Sequence, residues 1–321
     1  CNTVIACRFM AQKTFDDFDA FADTIRDVDA TMTLQNPSDR SWIVDQADAA
    51  GLEVQFGQLG SGNIVDGRSW SNGYLLYLPL TDGVEYSING RNIAQNAAAI
   101  FEPGCEFCLS TREAHDWCTI FVASDEITKA SAPLESLMAI ASPAVRQSRP
   151  NPLLTLQFRT MVNEVMMSAA TTPLFSSSAA ATNAKADLTQ LAVSLIGTKS
   201  GNTPCDRGRP TLSRRTIIER SMELIEQQDG ENLSVRDLAV NADVSERTLR
   251  TAFQEYFGTG PVRYLQLRQL HKVRRALRNT SSDTSTVSKI LVQHGVWEFS
   301  RFAARYRRLF GERPSETLAT R

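Results

Sequence analysis

The sequence predicts an α+β protein of more than one domain: a jelly-roll β-barrel with packed helices, followed by an all-α domain at the carboxyl end. Three observations carry this reading. Between about residues 41 and 123, short apolar runs alternate with Gly, Asn-Gly, Asp-Gly and Pro-Gly punctuation, the pattern of short strands joined by tight turns. From residue 212 onward the apolar period lengthens to that of helices. Charge divides at the same place: residues 212–321 carry 19 Lys and Arg against 13 Asp and Glu, whereas residues 1–211 carry 15 against 23. A basic tail on an acidic body predicts that only the tail meets a polyanion.

Taken in order, residues 15–27 place Phe15, Phe18, Ala22 and Ile25 on one helical face. The runs LEVQFGQLGSG, GYLLYLPLTDG, VEYSING, AAIFEPG, EFCLST and DWCTIFVA then supply six or more strands. A barrel of that size has room for one small ligand. Residues 126–198 return to helix. Leu153, Leu156, Met161, Val165 and Met166 fall on one side of a first helix, and a second runs from about 175 to 197. Residues 1–198 therefore read as one sensing and dimerisation domain, its helices packing on the barrel or on a second copy. Residues 199–211 (KSGNTPCDRGRPT) have Gly, Pro and charge without periodicity and read as a linker.

No run of 18 apolar residues is present, so no membrane partner is expected, and no basic-then-apolar leader opens the numbered chain, whose first residue is Cys1 rather than Met. The 6 Cys are not spaced as a disulfide framework, which fits a reduced, cytoplasmic location.

Two similar helical units, at about 234–257 and 286–310, carry the chemistry of the domain 212–321. In the first, Ser234 with Asp237 three residues on reads as a capping-box start. Val235, Leu238 and Ala239 face inward. Asn241, Ala242 and Asp243 form a turn in which Asp tolerates the left-handed backbone, with Val244 beneath it. Ser245 caps a new helix whose stripe Leu249, Ala252, Phe253 and Phe257 is core. Arg247, Arg250, Thr251 and Gln254 are left outward. Arg bonds guanine edges bidentately and Gln pairs with adenine, so this face suits the major groove. A helix from about Pro261 to Asn279 follows, with Val262, Leu265, Leu270, Val273 and Leu277 inward and Arg268, Lys272, Arg274, Arg275 and Arg278 making it basic. In the second unit, Val287, Ile290 and Leu291 line the first helix. Gly295 takes the turn, Val296 sits beneath it, and Phe302, Tyr306 and Phe310 form the second stripe. Ser300, Arg301, Ala304 and Arg305 face outward, and Arg307 and Arg308 are placed for phosphates. Adjacent major grooves lie about 34 Å apart, a span that two such helices on a stiff connector match.

With both units and the closing F-G-x-x-P in view, residues 212–318 resemble the DNA-binding domain of the AraC/XylS family of bacterial regulators. That resemblance implies two tri-helical subdomains joined by the long helix. It also implies base-facing roles for Arg247, Arg250 and Thr251 in the first recognition helix, and for Ser300, Arg301 and Ala304 in the second. Ala304 stands where the family commonly has Arg. The domain order resembles the family's sensor arrangement, so the expectation is a cupin-like barrel that binds a small effector. The expected partners are promoter DNA, a homodimeric second copy, and RNA polymerase if the protein is an activator.

Effector-pocket candidates are Arg68, Trp70, Tyr74, Tyr77, Tyr86 and Arg91, a set that would favour an anionic ligand. Cys105, Cys108, His115 and Cys118 have the spacing C-x2-C-x6-H-x2-C, which offers four soft ligands. Cys105 and Cys108 would alternatively form a redox pair. Cys108 and Cys118 nevertheless lie in apolar runs, where Cys behaves as a small hydrophobe. No metal and no cofactor are expected. A barrel metalloenzyme needs two or three His, and residues 1–211 contain one, so the chain is read as a regulator rather than an enzyme. The other alternative is a regulator controlled by no ligand, or by a partner protein.

Overall fold

A computed structural model describes residues 13–81, 83–93, 97–130, 145–147, 152–197, 213–228, 233–281 and 283–319. The linker expected at 199–211 lies outside the described residues.

The first domain opens with β1 (Lys13–Phe15), α1 (Phe18–Ala22), β2 (Val28–Ala49) and β3 (Leu52–Ser69). It continues with β4 (Gly73–Pro79), β5 (Tyr86–Ile88), β6 (Arg91–Asn92), β7 (Ala99–Phe101), β8 (Glu106–Thr111) and β9 (His115–Ala123). After α2 (Ser124–Ala130) comes β10 (Val145–Gln147). One antiparallel sheet runs β10-β7-β4-β9-β3-β8-β5-β6, with β2 on β3 and β1 on β2. The long β3 organises it: Val54–Leu59 pairs with β9, Ile64–Arg68 pairs with β8, and β2 follows it over almost its full length. The result is a sheet-rich half-barrel.

Because strand side chains alternate, the sheet feeds two cores. Inward, Leu75, Tyr77, Tyr86, Ile88, Phe101, Phe107 and Trp117 pack together. Outward, Tyr74, Leu76, Leu78, Ile100, Ile120 and Val122 pack under α3 (Pro152–Thr171) and α4 (Ala179–Gly197) through Phe158, Val162, Leu188 and Ala192.

The sheet starts earlier than the expected residue 41. Phe15 belongs to β1, and Asp17 caps α1 by accepting from Ala20 N–H at 2.9 Å, so the predicted helix over 15–27 shrinks to five residues. Residues 28–49 form a strand despite Pro37, because register shifts near Leu34–Asn36 and Pro37–Trp42 absorb the residues that cannot pair. On α3, Val165 and Met166 are buried as expected, but Leu153 and Leu156 are 73% and 61% exposed, since the face toward α4 passes through Phe158 and Val162 instead.

The second domain is α5 (Arg214–Gln227), α6 (Val235–Asn241), α7 (Glu246–Phe257), α8 (Pro261–Arg278), α9 (Val287–Gln293), α10 (Phe299–Phe310) and α11 (Pro314–Ala319). Helix α5 was given no bounds by the sequence, although a tri-helical first subdomain implies a helix there. Its Ile217, Ile218 and Ile225 complete the core of the first unit beneath Leu238, Leu249 and Phe253. On α8, Val262, expected inward, is 46% exposed, whereas Leu267 is buried. No helix among the described residues is long and apolar enough to cross a membrane.

Candidate nucleic-acid interface

Each helix-turn-helix unit is built from local chemistry. Ser234 accepts from Asp237 N–H while the Asp237 carboxylate accepts from Ser234 N–H, closing the capping box at the start of α6. Asp243 adopts φ 55° in the first turn and Gly295 φ 68° at the matching place in the second, the left-handed geometry that turns one helix sharply into the next. Ser245 caps α7 by accepting from Thr248 N–H at 3.2 Å. Leu249, Ala252, Phe253 and Phe257 are buried on α7, and Phe302, Tyr306 and Leu309 on α10.

The opposite faces stay open. Arg247, Arg250, Thr251 and Gln254 on α7, and Ser300, Arg301, Ala304, Arg307 and Arg308 on α10, are exposed; Arg305 is half-buried. Arg250 pairs with Glu246 at 3.2 Å and Arg301 with Glu298 at 3.0 Å. Solvated pairs of this kind contribute about 0–1 kcal/mol, so a phosphate or base edge displaces them at little cost. Gln254 is committed elsewhere: its amide donates to Gly258 O at 2.9 Å. Arg274, expected among the free basic groups of α8, is buried and ion-paired to Asp17, Asp19 and Glu312. It therefore adds nothing to the polyanion-facing charge.

The barrel grips the back of both units through β2. At the first register shift Gln35 has no partner on β3, and its side-chain amide donates to Phe257 O, in the last turn of α7, at 2.9 Å. At the second shift Arg40 donates to Arg308 O at 2.8 Å and Leu309 O at 3.2 Å, in the last turn of α10. Carbonyls in a helix's last turn lack intrahelical partners. Two residues five apart on one strand thus tie down the ends of both recognition helices. Next to Gln35, Leu34 N–H meets Nε2 of His271 on α8 at 3.1 Å. None of these brace residues carried a sequence signal, because their partners lie more than 200 residues away.

His271 is buried against Phe18 and Phe310. Burial pulls its pKa down to about 4, against the raising influence of Asp19. The unfolded chain takes up this proton below about pH 6.5, whereas the folded chain resists until about pH 4. Stability is therefore complete above that window and falls as the pH drops through it, by roughly 3 kcal/mol at the bottom. Asp27, raised to about 6 by burial and Glu53, works in the opposite sense. The measurement is accordingly a difference: urea denaturation from pH 7 to 4 of the native chain against His271→Gln. The native chain is expected to lose more stability across the window; parallel curves would refute the assignment.

The six effector candidates do not converge. Tyr77 and Tyr86 meet inside the barrel, ring centroids 5.6 Å apart, with Tyr77 Oη 2.9 Å from His115 Nε2 and Tyr86 donating to Ala97 O. Tyr74, three residues before Tyr77, faces the opposite core under α3 and α4. Arg68 is exposed and paired with Glu106, Trp70 is 45% exposed against Phe121, and Arg91 is exposed on β6. Two cavities instead open between the domains, of about 760 and 550 Å³. The larger is lined by Asp19, Thr31 and Asp66 from the barrel side and by Glu226, Arg268 and Arg275 from the helical side. Arg68 borders the smaller.

Cys105, Cys108 and Cys118 each enter a different core, and His115 is held by Tyr77 and the Glu113 carbonyl. No cluster of His, Cys, Asp and Glu able to hold a metal occurs among the described residues. Burial raises all three thiols above their ordinary pKa, Cys118 to about 12, so none is a ready thiolate.

Comparison with known proteins places these observations. A family model described as a helix-turn-helix domain matches residues 238–320. The XylDLEGF operon transcriptional activator 2 of Pseudomonas putida is 32% identical over 129 residues, 40% of this chain and 80% of that protein. The XylDLEGF operon transcriptional activator of the same organism is 32% identical over 124 residues, but there the match spans only 37% of the relative's length. A probable thc operon regulatory protein of Rhodococcus erythropolis is 33% identical over 104 residues, 32% of this chain and 31% of that protein. Among solved structures, the AraC-like transcriptional activator CuxR aligns at TM-score 0.43 and 10% identity, over 82% of this chain and 94% of its own. ToxT from Vibrio cholerae aligns at TM-score 0.30 and 10% identity, over 91% and 98%.

Proposed function

This chain is a DNA-binding transcription regulator of the AraC/XylS family, and from that premise we propose that it is a promoter-binding activator whose grip on DNA is set by a small effector acting through the barrel. The observation that supports control by the barrel is the brace. Gln35 and Arg40, on one strand, hold the ends of α7 and α10, so a ligand that shifts β2 changes the spacing of the two recognition helices. The cavity beside the brace, lined by both domains, has the size of a small-molecule site. It mixes carboxylates with guanidinium groups, which favours a zwitterion or an acid bearing hydrogen-bond donors over a simple anion.

In this reading Arg247, Arg250, Thr251, Ser300, Arg301 and Ala304 face base edges, while Arg305, Arg307 and Arg308 meet phosphates. The chain acts as a homodimer, contacts RNA polymerase as activators do, and carries no catalytic group. Two measurements test it. Arg250→Ala is expected to cost about 1–3 kcal/mol on the preferred sequence and to relax base preference in one half of the site, whereas Arg308→Ala weakens all sequences alike and flattens the salt dependence. Equal losses for Arg250→Ala on specific and random DNA overturn the contact assignment. For the effector, amino acids and aliphatic and aromatic carboxylates are titrated into the full chain while operator affinity and melting temperature are read together. A compound that moves both supports control by a ligand. If none does, and Gln35→Ala leaves operator affinity unchanged, the reading passes to a partner-controlled regulator.

A further inference from the structure

The second recognition helix departs from the first in one respect. Where α7 presents Arg247 and Arg250, the corresponding stretch of α10 presents Ser300, Arg301 and Ala304, and the turn and first residue leading into the helix carry two exposed aromatic side chains. Trp297 is 82% exposed and Phe299 37% exposed. Trp297 lies in the turn, two residues before the first residue of α10, and so flanks the end of the helix that presents Ser300 and Arg301. Trp297 is nearly twice as exposed as Trp70, at 45%, and an exposed apolar patch rimmed by polar residues marks an interaction site. Trp42 and Trp117, by contrast, are buried in the barrel.

Resting on the base-facing reading of α10 given above, we propose that Trp297 and Phe299 form an apolar base-reading patch that recognises the C5-methyl groups of thymines in the second half of the site. The surroundings argue for a duplex rather than a protein. Phe299 immediately precedes Ser300 and Arg301 in the first turn, and Arg301, Arg305, Arg307 and Arg308 lie along the same helix. Glu298, the one acid beside it, is neutralised by Arg301 at 3.0 Å. An occupant that satisfies a cluster of guanidinium groups and also offers small apolar knobs is the major groove of a T-containing sequence, where the thymine methyl is the one apolar feature on a base edge. The patch also accounts for Ala304: a small side chain lets the helix approach close enough for methyl contact, at the place where an Arg would have reached for a guanine. The second unit then discriminates by shape and apolar contact, the first by hydrogen bonds.

The test uses the full chain and a randomised duplex pool. Sites enriched by the native protein are expected to contain thymine opposite the second unit. Replacing those thymines by uracil, which removes only the methyl group, is expected to weaken the native chain about three- to tenfold per contacted base. The same replacement costs Trp297→Ala less than it costs the native chain, since only Phe299 is left to meet the methyl groups, and Trp297→Ala selects sites that keep the first half and weaken the thymine preference in the second. Uracil that is neutral for the native chain, or equally costly for both proteins, overturns the proposal. So does a Trp297→Ala variant that binds DNA normally but no longer stimulates transcription, since the patch then docks a protein. If the native chain enriches no sequence at all, the base-reading assignment of both helices fails, an outcome distinct from failure of the thymine reading alone.

Discussion

Arg274→Met is expected to destabilise the protein by about 3–5 kcal/mol and to uncouple its two domains, because removing one member of a buried ion cluster strands the others. The guanidinium is 4% exposed and spends all three nitrogens: Nε on Asp19 at 2.7 Å, one terminal nitrogen on Asp17 at 2.6 Å and the other on Glu312 at 2.5 Å. Its plane lies over the Phe310 ring, 4.5 Å from the centroid. Although burial opposes the charge, Asp19 and Asp17 hold the Arg274 pKa above its ordinary value, and against burial the Ala20 N–H bond, then Arg274 and Arg278, keep Asp17 below the usual carboxylate range. Asp17 and Asp19 retain 33% and 23% of their side-chain exposure and recover some hydration when the partner is lost, which places the result at the lower end of the range. Arg278 also bridges to both, at 2.9 Å, and remains in the variant. Arg274→Lys is expected to fall between, since an ammonium restores the charge without the planar fork. The check is urea denaturation followed by calorimetry. The native chain should melt in one transition, and the Met variant in two, because Asp17 and Asp19 belong to the barrel and Glu312 to the helical domain. A loss below about 1 kcal/mol with a single transition would mean that the cluster does not couple the domains.

Phe253→Ala is expected to cost about 3–5 kcal/mol, the other large effect, by opening a cavity at the centre of the first helix-turn-helix unit. Phe253 is fully buried. Its ring lies 5.3 Å from Phe257 and 5.6 Å, edge-on, from Tyr264, which stacks on Phe257 at 4.3 Å. This aromatic trio is where α7 rests on α8, and Tyr264 Oη reaches Met222 on α5 at 3.4 Å. Loss of the ring frees α7 to tilt, so Arg247 and Arg250 lose their fixed approach. DNA binding is expected to fall more than the loss of folded protein alone explains. Phe253→Leu, which refills most of the volume, should recover the greater part of both. Stability from thermal unfolding and operator affinity of the same samples decide the point; unchanged affinity in a measurably destabilised Ala variant would show that the orientation of α7 does not depend on this core.

The helix-turn-helix units were legible because their determinants are local. A capping pair three residues apart, a left-handed Asp243 or Gly295, and an apolar stripe at helical spacing all sit within about two dozen residues of each other. The N-terminal half was legible in class and less so in detail. Strand β2 was missed because Pro37 and the polar residues around it look like a loop, and only its bulged pairing with β3 makes a strand of them. Two pairs among the effector and cysteine candidates separated for one geometrical reason. Tyr74 and Tyr77, or Cys105 and Cys108, are three residues apart, and an odd separation on extended chain sends side chains to opposite faces.

By itself, then, the sequence determined that the carboxyl third forms two recognition units on a long helix, since propensity, capping and turn chemistry act between near neighbours and need no help from the rest of the chain. Only the tertiary structure decided that Arg274 is an internal anchor rather than a free charge, and that Gln35, Arg40 and His271 join the barrel to both units. Those roles depend on which distant surface excludes water from each side chain, and no spacing along the chain encodes that.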